Sequence, residues 1–391
     1  MTGLFLDKQN TTDMKVCYVT EYDATNMQSW SGSGYRIHHH LSLAGAEVKL
    51  LGGLQIQKNF RNRLSHKFWR QFQLSYLDDR DPVILRNYAR QIEDRLSEYK
   101  CDVIFSPGTL PIAYLKTKLP VVFWTDATFA NLLNYYGHFS NLSPVSVRHG
   151  HEAERRALAQ ASLAVYTSDW AAKSAIREYG ANPEKIRIIP FGANLDRFPT
   201  QEEVSSIITT RDRTECRLLF VGVDWKRKGG SKALEIAQNI ESLGQKVRLD
   251  IVGPKQLEGL PKFAIHHGFL KKDNLQDKAQ LEQLFQKAHF FLLPTQADCV
   301  PVVFAEANIH GVPVIAPDTG GVSSVIANGR NGFLFPPNVS ASVVAHSIVT
   351  SFSDEIGYNI LCLQSWLHVA ETQNWDRSVK LLIRELEDIV K

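Results

Sequence analysis

Several features are scarce or missing in this chain, and each absence excludes a class of protein. The five cysteines are scattered and form no CxxC pair, which fits a reducing cytoplasm and argues against a zinc site. The net charge of +3 gives no strong field that would attract nucleic acid. No run of about 18 apolar residues is present, so the sequence predicts no transmembrane helix.

Signal and nucleotide fingerprints are missing too. The opening segment, MTGLFLDKQNTTDMK, lacks a basic stretch followed by a long apolar one, so we expect no secretory signal. The P-loop pattern GxxxxGK[ST] is absent, and the absence of GxGxxG disfavours a dinucleotide oxidoreductase. With 391 residues, of which 44% are hydrophobic and 22% charged, the chain suits two globular domains.

Both halves of the chain repeat short apolar runs separated by helical stretches. The runs lack strict alternation, which is typical of parallel strands covered on both faces. We therefore predict two doubly wound α/β domains, with ligands at the carboxyl ends of the strands. The predicted strands are KVCYVT (15–20), EVKLLG (47–52), DVIFSP (102–107), PVVFWTD (120–126), LAVYTS (163–168), IRIIPFG (186–192), CRLLFVGVD (216–224), VRLDIVG, AIHHGFL, FFLLPT, VPVIAP and GFLFPP.

Residues 192–215 are polar and without a strong pattern, so we interpret them as the linker between the domains. Two such domains facing each other would form a cleft for a ligand.

Two glycine-containing loops are candidates for phosphate contact. VGVDWKRKGG (221–230) follows a strand and opens a helix, and its basic residues suit a diphosphate. The alternative is a solvated basic loop.

WSGSGYRIHHH (30–40) follows the first strand, and its glycines permit close backbone approach, although a plain loop is a rival interpretation. We interpret the three consecutive histidines, which point in three directions on a helix, as ordinary surface residues rather than metal ligands.

Two acids stand in the apolar stretch TQADCVPVVFAEANIHGVPVIAPDTGG (295–321). Pro301 predicts a helix that begins there, which places Asp298 in the preceding loop and Glu306 inside the helix. Carboxylates accept hydrogen bonds from vicinal hydroxyls, as sugars offer. Stabilisation of the helix dipole also explains Asp298. It explains Glu306 poorly, because an unpaired acid inside an apolar helix is costly.

These motifs together carry a family resemblance. Asp298-x7-Glu306 with the following HGVPVIAPDTGGVSSVIANGRNGFLF resembles the E-x7-E region of retaining family 4 glycosyltransferases with the GT-B fold. FVGVDWKRKGG resembles their G-x5-KG phosphate loop, and PFGANLDRF resembles their hinge segment. The C-terminal WDRSVKLLIRELEDIVK resembles the final helix that crosses back to the N-terminal domain.

The resemblance implies two Rossmann-like domains that face a central cleft. An N-terminal acceptor-side domain would span 1–200 and be completed by about 371–391. A donor-binding domain would span 201–370.

The resemblance also implies a role for each matching residue. Lys228 and Arg227 would hold the diphosphate, Glu306 the ribose and Asp298 the donor sugar. The phosphates would lie against Gly34 and Gly222. The backbone from Cys299 through Val300 and Pro301 to Val302 would donate N–H groups.

Three departures from the family pattern are visible. Asp298 replaces the usual glutamate and is one methylene shorter. Val223 stands where many members carry arginine. FWTDAT (123–128) stands where many members carry a histidine, so Asp126 becomes the candidate for sugar or acceptor contact, with a strand-end cap as the alternative.

We therefore expect a retaining transferase that moves a sugar from a UDP- or GDP-sugar to a hydroxyl acceptor, such as a glycan, a lipid-linked acceptor or a small molecule. No cofactor and no metal are expected, since we find no cation site of the DxD type. The alternatives are a non-catalytic nucleotide-sugar-binding protein and a nucleotide-sugar epimerase of the same fold.

The basic, aromatic segment QKNFRNRLSHKFWRQFQLSY (57–76) has two interpretations. Phe60, Leu64 and Phe68 fall on helical spacings beside several arginines. We favour a buried amphipathic stripe over the sheet, which is the commoner case. The alternative is peripheral contact with an anionic membrane, which would hold a cytoplasmic protein at the inner membrane surface.

Overall fold

The computed structural model describes residues 13–56 and 60–391, apart from the side chain at position 61. The chain forms two compact units. The first runs to Phe191 and includes Trp375–Lys391, and the second is Gly192–Asn374.

The first unit is built on a six-stranded parallel sheet of order β2-β1-β3-β4-β5-β6. Each of its strands lies within a run that the sequence predicted. The strands are β1 (Lys15–Val19), β2 (Glu47–Leu51), β3 (Val103–Ser106), β4 (Val121–Thr125), β5 (Leu163–Tyr166) and β6 (Ile186–Ile188). The helices between them are α1 (Ser33–Leu43), α2 (Phe60–Arg70), α3 (Pro82–Leu96), α4 (Phe129–Leu132), α5 (Pro144–Gln160) and α6 (Asp169–Tyr179).

The second unit repeats this architecture with a parallel sheet of order β12-β11-β10-β7-β8-β9. Here too every strand lies within a predicted run. The strands are β7 (Cys216–Val221), β8 (Val247–Val252), β9 (Ala264–His266), β10 (Phe290–Leu292), β11 (Val314–Pro317) and β12 (Gly332–Phe335). The helices are α7 (Gln201–Thr210), α8 (Gly230–Ser242), α9 (Leu275–Lys287), α10 (Val302–Asn308), α11 (Ala341–Ser353) and α12 (Glu355–Thr372).

The central strands explain why the apolar runs do not alternate. Every residue of β3, β4, β5, β10 and β11 is buried, because helices cover both faces of each sheet. The helices begin at local caps. For example, the Asp81 side chain accepts a hydrogen bond from Val83 N at the start of α3, and Pro82 occupies the first helical position. The two-domain α/β prediction is confirmed.

The predicted linker is wrong in its middle part, because residues 201–210 form α7. Thr200 and Glu203 make a reciprocal capping box at its start. Val204 and Ile208 face the core of the second unit and are buried. The apolar stripe of α7 is only one residue wide at each turn, so the sequence of this segment shows no clear helical periodicity.

A final helix, α13 (Trp375–Val390), belongs to the first unit. Trp375 is buried, and its ring centroid lies 5.9 Å from that of Trp124 and 5.4 Å from that of Phe191. Next to it, Asp376 Oδ1 lies 2.8 Å from His40 Nδ1 on α1. This histidine of the consecutive triplet therefore has a structural partner within its own unit.

Two cysteines are paired in the structure, which the sequence did not predict. Cys17 on β1 and Cys101, just before β3, form a disulfide with their Cα atoms 5.9 Å apart. The adjacency of β1 and β3 brings together two residues that are 84 apart in sequence. The other three cysteines, Cys216, Cys299 and Cys362, are buried and free.

Helix α2 corrects the interpretation of a buried amphipathic stripe. Its apolar side chains are outside, with Phe60, Leu64 and Phe68 exposed by 72%, 49% and 51%. The buried residue is instead Asn62, whose amide donates to Asp81 Oδ2 at 2.9 Å. This polar anchor turns the apolar face away from the core. Residues 57–59 of the same predicted segment lie outside the described residues.

Across the described ranges, 13–56 and 60–391, no helix is both long and apolar enough to cross a membrane.

Candidate functional site

The loop after β7 is held against the loop after β10. The two strands are neighbours in the parallel sheet, so their carboxyl ends open at the same edge. Gln296 N donates to Arg227 O at 2.7 Å. Gly229 has φ +77° and caps α8, and a Cβ at this position would lie 1.9 Å from Pro294 O. Glycine is therefore required for this close approach.

This juxtaposition brings Lys228, Arg227 and Asp298 together. Lys228 Nζ donates to Asp298 Oδ2 at 2.5 Å, and both side chains are nearly buried. Arg227 Nη1 lies 3.7 Å from the same oxygen and donates to Ala297 O at 2.8 Å. Arg227 Nε also lies 3.4 Å from Asp224 Oδ2, so two cations and two acids form one network at the carboxyl edge. Ammonium and guanidinium groups in such a network can exchange a carboxylate for a phosphate oxygen.

Glu306 has a cationic partner that the sequence did not reveal. Helix α10 begins after Pro301, as predicted, and Glu306 within it is buried. Its Oε1 accepts a hydrogen bond from Lys272 Nζ, which comes from the loop after β9. The lysine side chain is about half exposed. The energetic cost of a buried acid inside an apolar helix is thus offset by an ion pair.

The remaining donor-side candidates lie around these charges. Gly222 N donates to Val252 O at 2.9 Å, and a Cβ on Gly222 would lie 2.9 Å from Lys228 Cγ, so this glycine leaves room for the lysine stem. Cys299 and Val300 are buried before α10, and Val302 is its first residue.

One predicted donor in this segment is wrong on chemical grounds. Proline has no N–H group, so Pro301 cannot donate to a ligand. It serves instead as the N-cap residue of α10. Thr295 is a buried neighbour that the sequence did not single out, with Oγ1 3.4 Å from Asp298 Oδ2.

Asp126 and Gly34 belong to the first unit and both lie near Tyr22. Asp126 follows β4 and is half-buried. Burial raises the pKa of the Tyr22 hydroxyl, and the charges of Glu21 and then Asp126 raise it further. A Cβ on Gly34 would lie 2.2 Å from the Tyr22 hydroxyl oxygen. Gly34 therefore accommodates a tyrosine here, whatever further role its backbone has.

Within the described part of the chain, no group of three or more His, Cys, Asp or Glu side chains is arranged to hold a metal ion.

Family models cover most of the chain. The model of glycosyl transferases group 1 matches residues 202–360, and that of Glycosyltransferase Family 4 matches residues 35–197. The chain belongs to the group 1 glycosyltransferases.

Curated relatives of this group 1 glycosyltransferase align over part of its length. It is 27% identical over 195 residues to a D-inositol 3-phosphate glycosyltransferase of Gordonia bronchialis, covering 46% of this chain and 43% of that one. A protein of the same description from Streptomyces avermitilis is 24% identical over 238 residues, covering 57% and 51%. The chain thus spans about half the length of these relatives.

Solved structures match the group 1 glycosyltransferase over nearly its whole length. Sucrose-phosphate synthase from Thermosynechococcus elongatus has a TM-score of 0.70 at 15% identity, covering 96% of this chain and 99% of that one. Anabaena HepE in complex with UDP and glucose has a TM-score of 0.63 at 14% identity, covering 96% and 99%. At these identities the likeness shows the fold, which is the predicted GT-B fold.

In the first unit of this glycosyltransferase, the structure adds a buried charged cluster that the sequence missed. Arg80 is buried between the rings of Phe129 and Phe139, at 5.2 and 4.8 Å from their centroids. Glu154 on α5 is buried as well, and its Oε2 accepts a hydrogen bond from the Thr109 hydroxyl at 3.0 Å.

Burial raises the pKa of Glu154 to about 7, against the lowering effects of the Thr109 hydrogen bond and the Arg80 charge. Glu21, two residues after the end of β1, also has a pKa raised by burial, and Arg80 again opposes the shift. No local motif identifies these residues, because the topology gathers them from four separate segments.

Proposed function

We propose that this protein is a retaining glycosyltransferase that moves a sugar from a nucleotide-sugar to a hydroxyl acceptor. The observation that carries the proposal is the contact of Lys228 and Arg227 with Asp298 at the carboxyl edge of the second sheet. Glu306 lies within the short helix α10 that follows Asp298, which matches the order of groups in the family pattern. Membership of the group 1 glycosyltransferases supports the same chemistry.

Each charged group has a role in the proposal. Lys228 and Arg227 bind the donor diphosphate, because ammonium and guanidinium groups form charge-assisted hydrogen bonds with phosphate oxygens. Asp298 accepts hydrogen bonds from the sugar once the diphosphate draws Lys228 away from it. Glu306 accepts from the ribose hydroxyls, and its partner Lys272 swings toward solvent on its flexible stem.

The proposed reaction is a same-face substitution at the anomeric carbon. The C–O bond to the diphosphate breaks, and the developing negative charge is stabilised by Lys228 and Arg227. The acceptor hydroxyl attacks from the same face and gives its proton to the departing phosphate oxygen. In this scheme the two cations neutralise the diphosphate, so we propose that no metal ion is required.

A thermal-shift screen tests the donor site. UDP, GDP and ADP are added with and without magnesium to the wild type, to Lys228→Ala and to Lys226→Ala, the matched control from an exposed position in the same loop. We expect one nucleotide to stabilise the wild type and the control without magnesium, and the effect to be lost in Lys228→Ala. UDP is the first choice because HepE is described with UDP. Equal stabilisation of all three proteins would remove Lys228 from the site.

Turnover separates the proposed enzyme from its two alternatives. A nucleotide-sugar-binding protein binds donor without releasing nucleotide, and an epimerase converts donor without an acceptor. A transferase releases nucleotide only when an acceptor is present, and its product keeps the donor's anomeric configuration. We expect Lys228→Ala to lower this turnover by about 100-fold or more. The first acceptor to test is D-inositol 3-phosphate, as named for the curated relatives.

Asp126 is proposed to contact the sugar or the acceptor. Asp126→Asn should raise the acceptor KM or lower kcat while nucleotide binding is unchanged. If Asp126→Asn has the same kcat and acceptor KM as the wild type, Asp126 has no role in the reaction and only caps the end of the strand.

The exposed face of α2 supports peripheral contact with an anionic membrane. Phe60, Leu64 and Phe68 are exposed on α2, and Phe72 is exposed just after the helix. The described part of the helix carries Arg63, Lys67 and Arg70 without any acid. Apolar side chains beside cations suit the boundary of an anionic bilayer. Such contact would place the enzyme on the inner membrane surface, near a lipid-linked acceptor.

Vesicle sedimentation tests this contact. We expect binding to phosphatidylglycerol vesicles, weaker binding to neutral vesicles, and loss of binding in a Phe60→Ser, Phe68→Ser variant. Binding that is unaffected by the two substitutions would reject α2 as the contact.

A further inference from the structure

A basic cavity lies in the first unit, separate from every residue assigned so far. It has a volume of about 600 Å³ and lies between the outer parts of α3 and α5 and the segment 113–116. Its charged lining consists of Arg86, Arg90, Lys116 and Arg156, with Glu93 as its only acid. Counting these five side chains, the cavity has a net charge of +3, which is as large as that of the whole chain.

Two of the cavity's arginines lie close together, because both contact the same aromatic ring. The guanidinium carbons of Arg86 and Arg156 lie 4.9 and 4.7 Å from the centroid of the same ring, Tyr114. Arg86 and Arg90 are one helical turn apart on α3, a spacing at which like charges repel each other. The Tyr114 ring offsets part of this repulsion, and a bound anion would offset more of it.

Carboxylates neutralise only part of the positive charge of the cavity. Glu93 Oε1 accepts a hydrogen bond from the backbone N of Lys116 at 2.8 Å, so this carboxylate is used to hold the segment in place. Arg156 has an ion pair with Glu152 at 2.6 Å. Among the described residues, Arg86, Arg90 and the Lys116 ammonium have no ion pair, so three cationic groups are available to a ligand.

The position of the cavity separates it from the proposed donor chemistry. Lys116 precedes β4, and the end of α5 precedes β5. The side of the cavity formed by Lys116 and the end of α5 therefore lies toward the amino-terminal edge of the sheet. Ligands of open α/β sheets bind at the opposite, carboxyl edge.

We infer that this cavity is a binding site for a compact phosphate-bearing anion, held by the forked guanidinium groups of Arg86 and Arg90 together with Lys116 and Arg156. A guanidinium group binds phosphate oxygens through two parallel hydrogen bonds, and the Tyr114 ring holds the guanidinium groups of Arg86 and Arg156. A volume of about 600 Å³ admits a ligand larger than inorganic phosphate, such as a diphosphate ester. The source of the phosphate is either a free metabolite or a lipid headgroup.

Calorimetry with inorganic pyrophosphate tests the site on the full chain. Pyrophosphate also suits the proposed donor loop, so four proteins are compared: the wild type, Arg86→Gln with Arg90→Gln, Arg227→Gln with Lys228→Gln, and the combination of all four substitutions. We expect the donor-loop variant to retain a binding phase that weakens at least tenfold when the cavity arginines are also replaced. The matched control is Arg155→Gln, an exposed arginine of α5 that does not line the cavity.

Vesicles distinguish the two phosphate sources. Pyrophosphate binding that depends on the cavity arginines supports a free anion. Binding to phosphatidylglycerol vesicles that depends on them, without a matching effect on pyrophosphate, supports a lipid headgroup. If Arg86→Gln with Arg90→Gln changes neither measurement relative to Arg155→Gln, the inference is overturned. Because the inferred site uses none of the donor-loop residues, this result would leave the proposed transferase activity intact.

Discussion

The buried carboxyl of Glu154 makes stability depend on pH in a way that a single substitution isolates. In the unfolded chain this group ionises near 4.5, whereas in the folded protein burial raises its pKa to about 7. Between these values the folded protein holds a proton that the unfolded chain releases. Rising pH therefore favours unfolding, and the stability that this group supplies at low pH is lost by the time the pH has passed about 7.

The magnitude follows from the same two values. At about 1.4 kcal/mol per pH unit, the gap between them corresponds to about 3 kcal/mol, most of which accrues between about pH 5 and pH 8. Glu154→Gln keeps the shape of the side chain and can still accept from the Thr109 hydroxyl, but it has no proton to lose. Its free energy of unfolding relative to the wild type should rise by about 2 kcal/mol over that range.

Urea unfolding of both proteins at several pH values measures this difference. Hydrogen exchange of peptides from β4 and α5 restricts the measurement to the first unit. Other titrating groups cancel because they are common to both proteins. Glu152→Gln, on the same helix with a partly exposed side chain, is the control and should shift stability by less than about 1 kcal/mol. A difference between Glu154→Gln and the wild type that stays flat with pH would refute the reasoning.

Three further predictions concern single residues. Gly229→Ala should weaken nucleotide binding at least tenfold, because its Cβ would meet the Pro294 carbonyl. Gly244→Ala, at φ +83° with open space around it, is the control that carries backbone strain alone, and isothermal titration should separate the two. Arg211→Lys should cost about 2 kcal/mol in urea unfolding, because the buried guanidinium group donates to three main-chain carbonyls that one ammonium group cannot all reach. Asn62→Leu should cost about 1–3 kcal/mol by the same assay, because Asp81 Oδ2 loses one of its two side-chain donors and keeps only the Tyr76 hydroxyl.

The alternation of strands and helices was readable from sequence because it is a local signal. Every predicted strand appears, since a run covered on both faces must be apolar throughout. Helix α7 was missed because only Val204 and Ile208 face the core, while its exposed positions are polar. The position of α10 was also predictable, since Pro301 marks its start.

The partners of the candidate site residues were not readable. Lys272 lies 34 residues from Glu306, and only the placement of β9 brings them together. Arg80 and Glu154 have no motif, because their proximity is a property of the sheet topology. The orientation of α2 was wrong for a different reason. Periodicity shows that a helix has an apolar face, but one buried asparagine decides which face turns inward.

The membership of α13 in the first unit has a consequence for how the protein is made. The ribosome completes all of the second unit before it synthesises Trp375, the ring that closes the aromatic cluster of Trp124 and Phe191. The first unit therefore cannot complete its core until the second unit has been synthesised, although domains generally fold in the order in which they are made. A chain stalled before α13 would lack the ring that packs against Trp124 and Phe191. It would expose to chaperones an apolar surface that the finished protein buries.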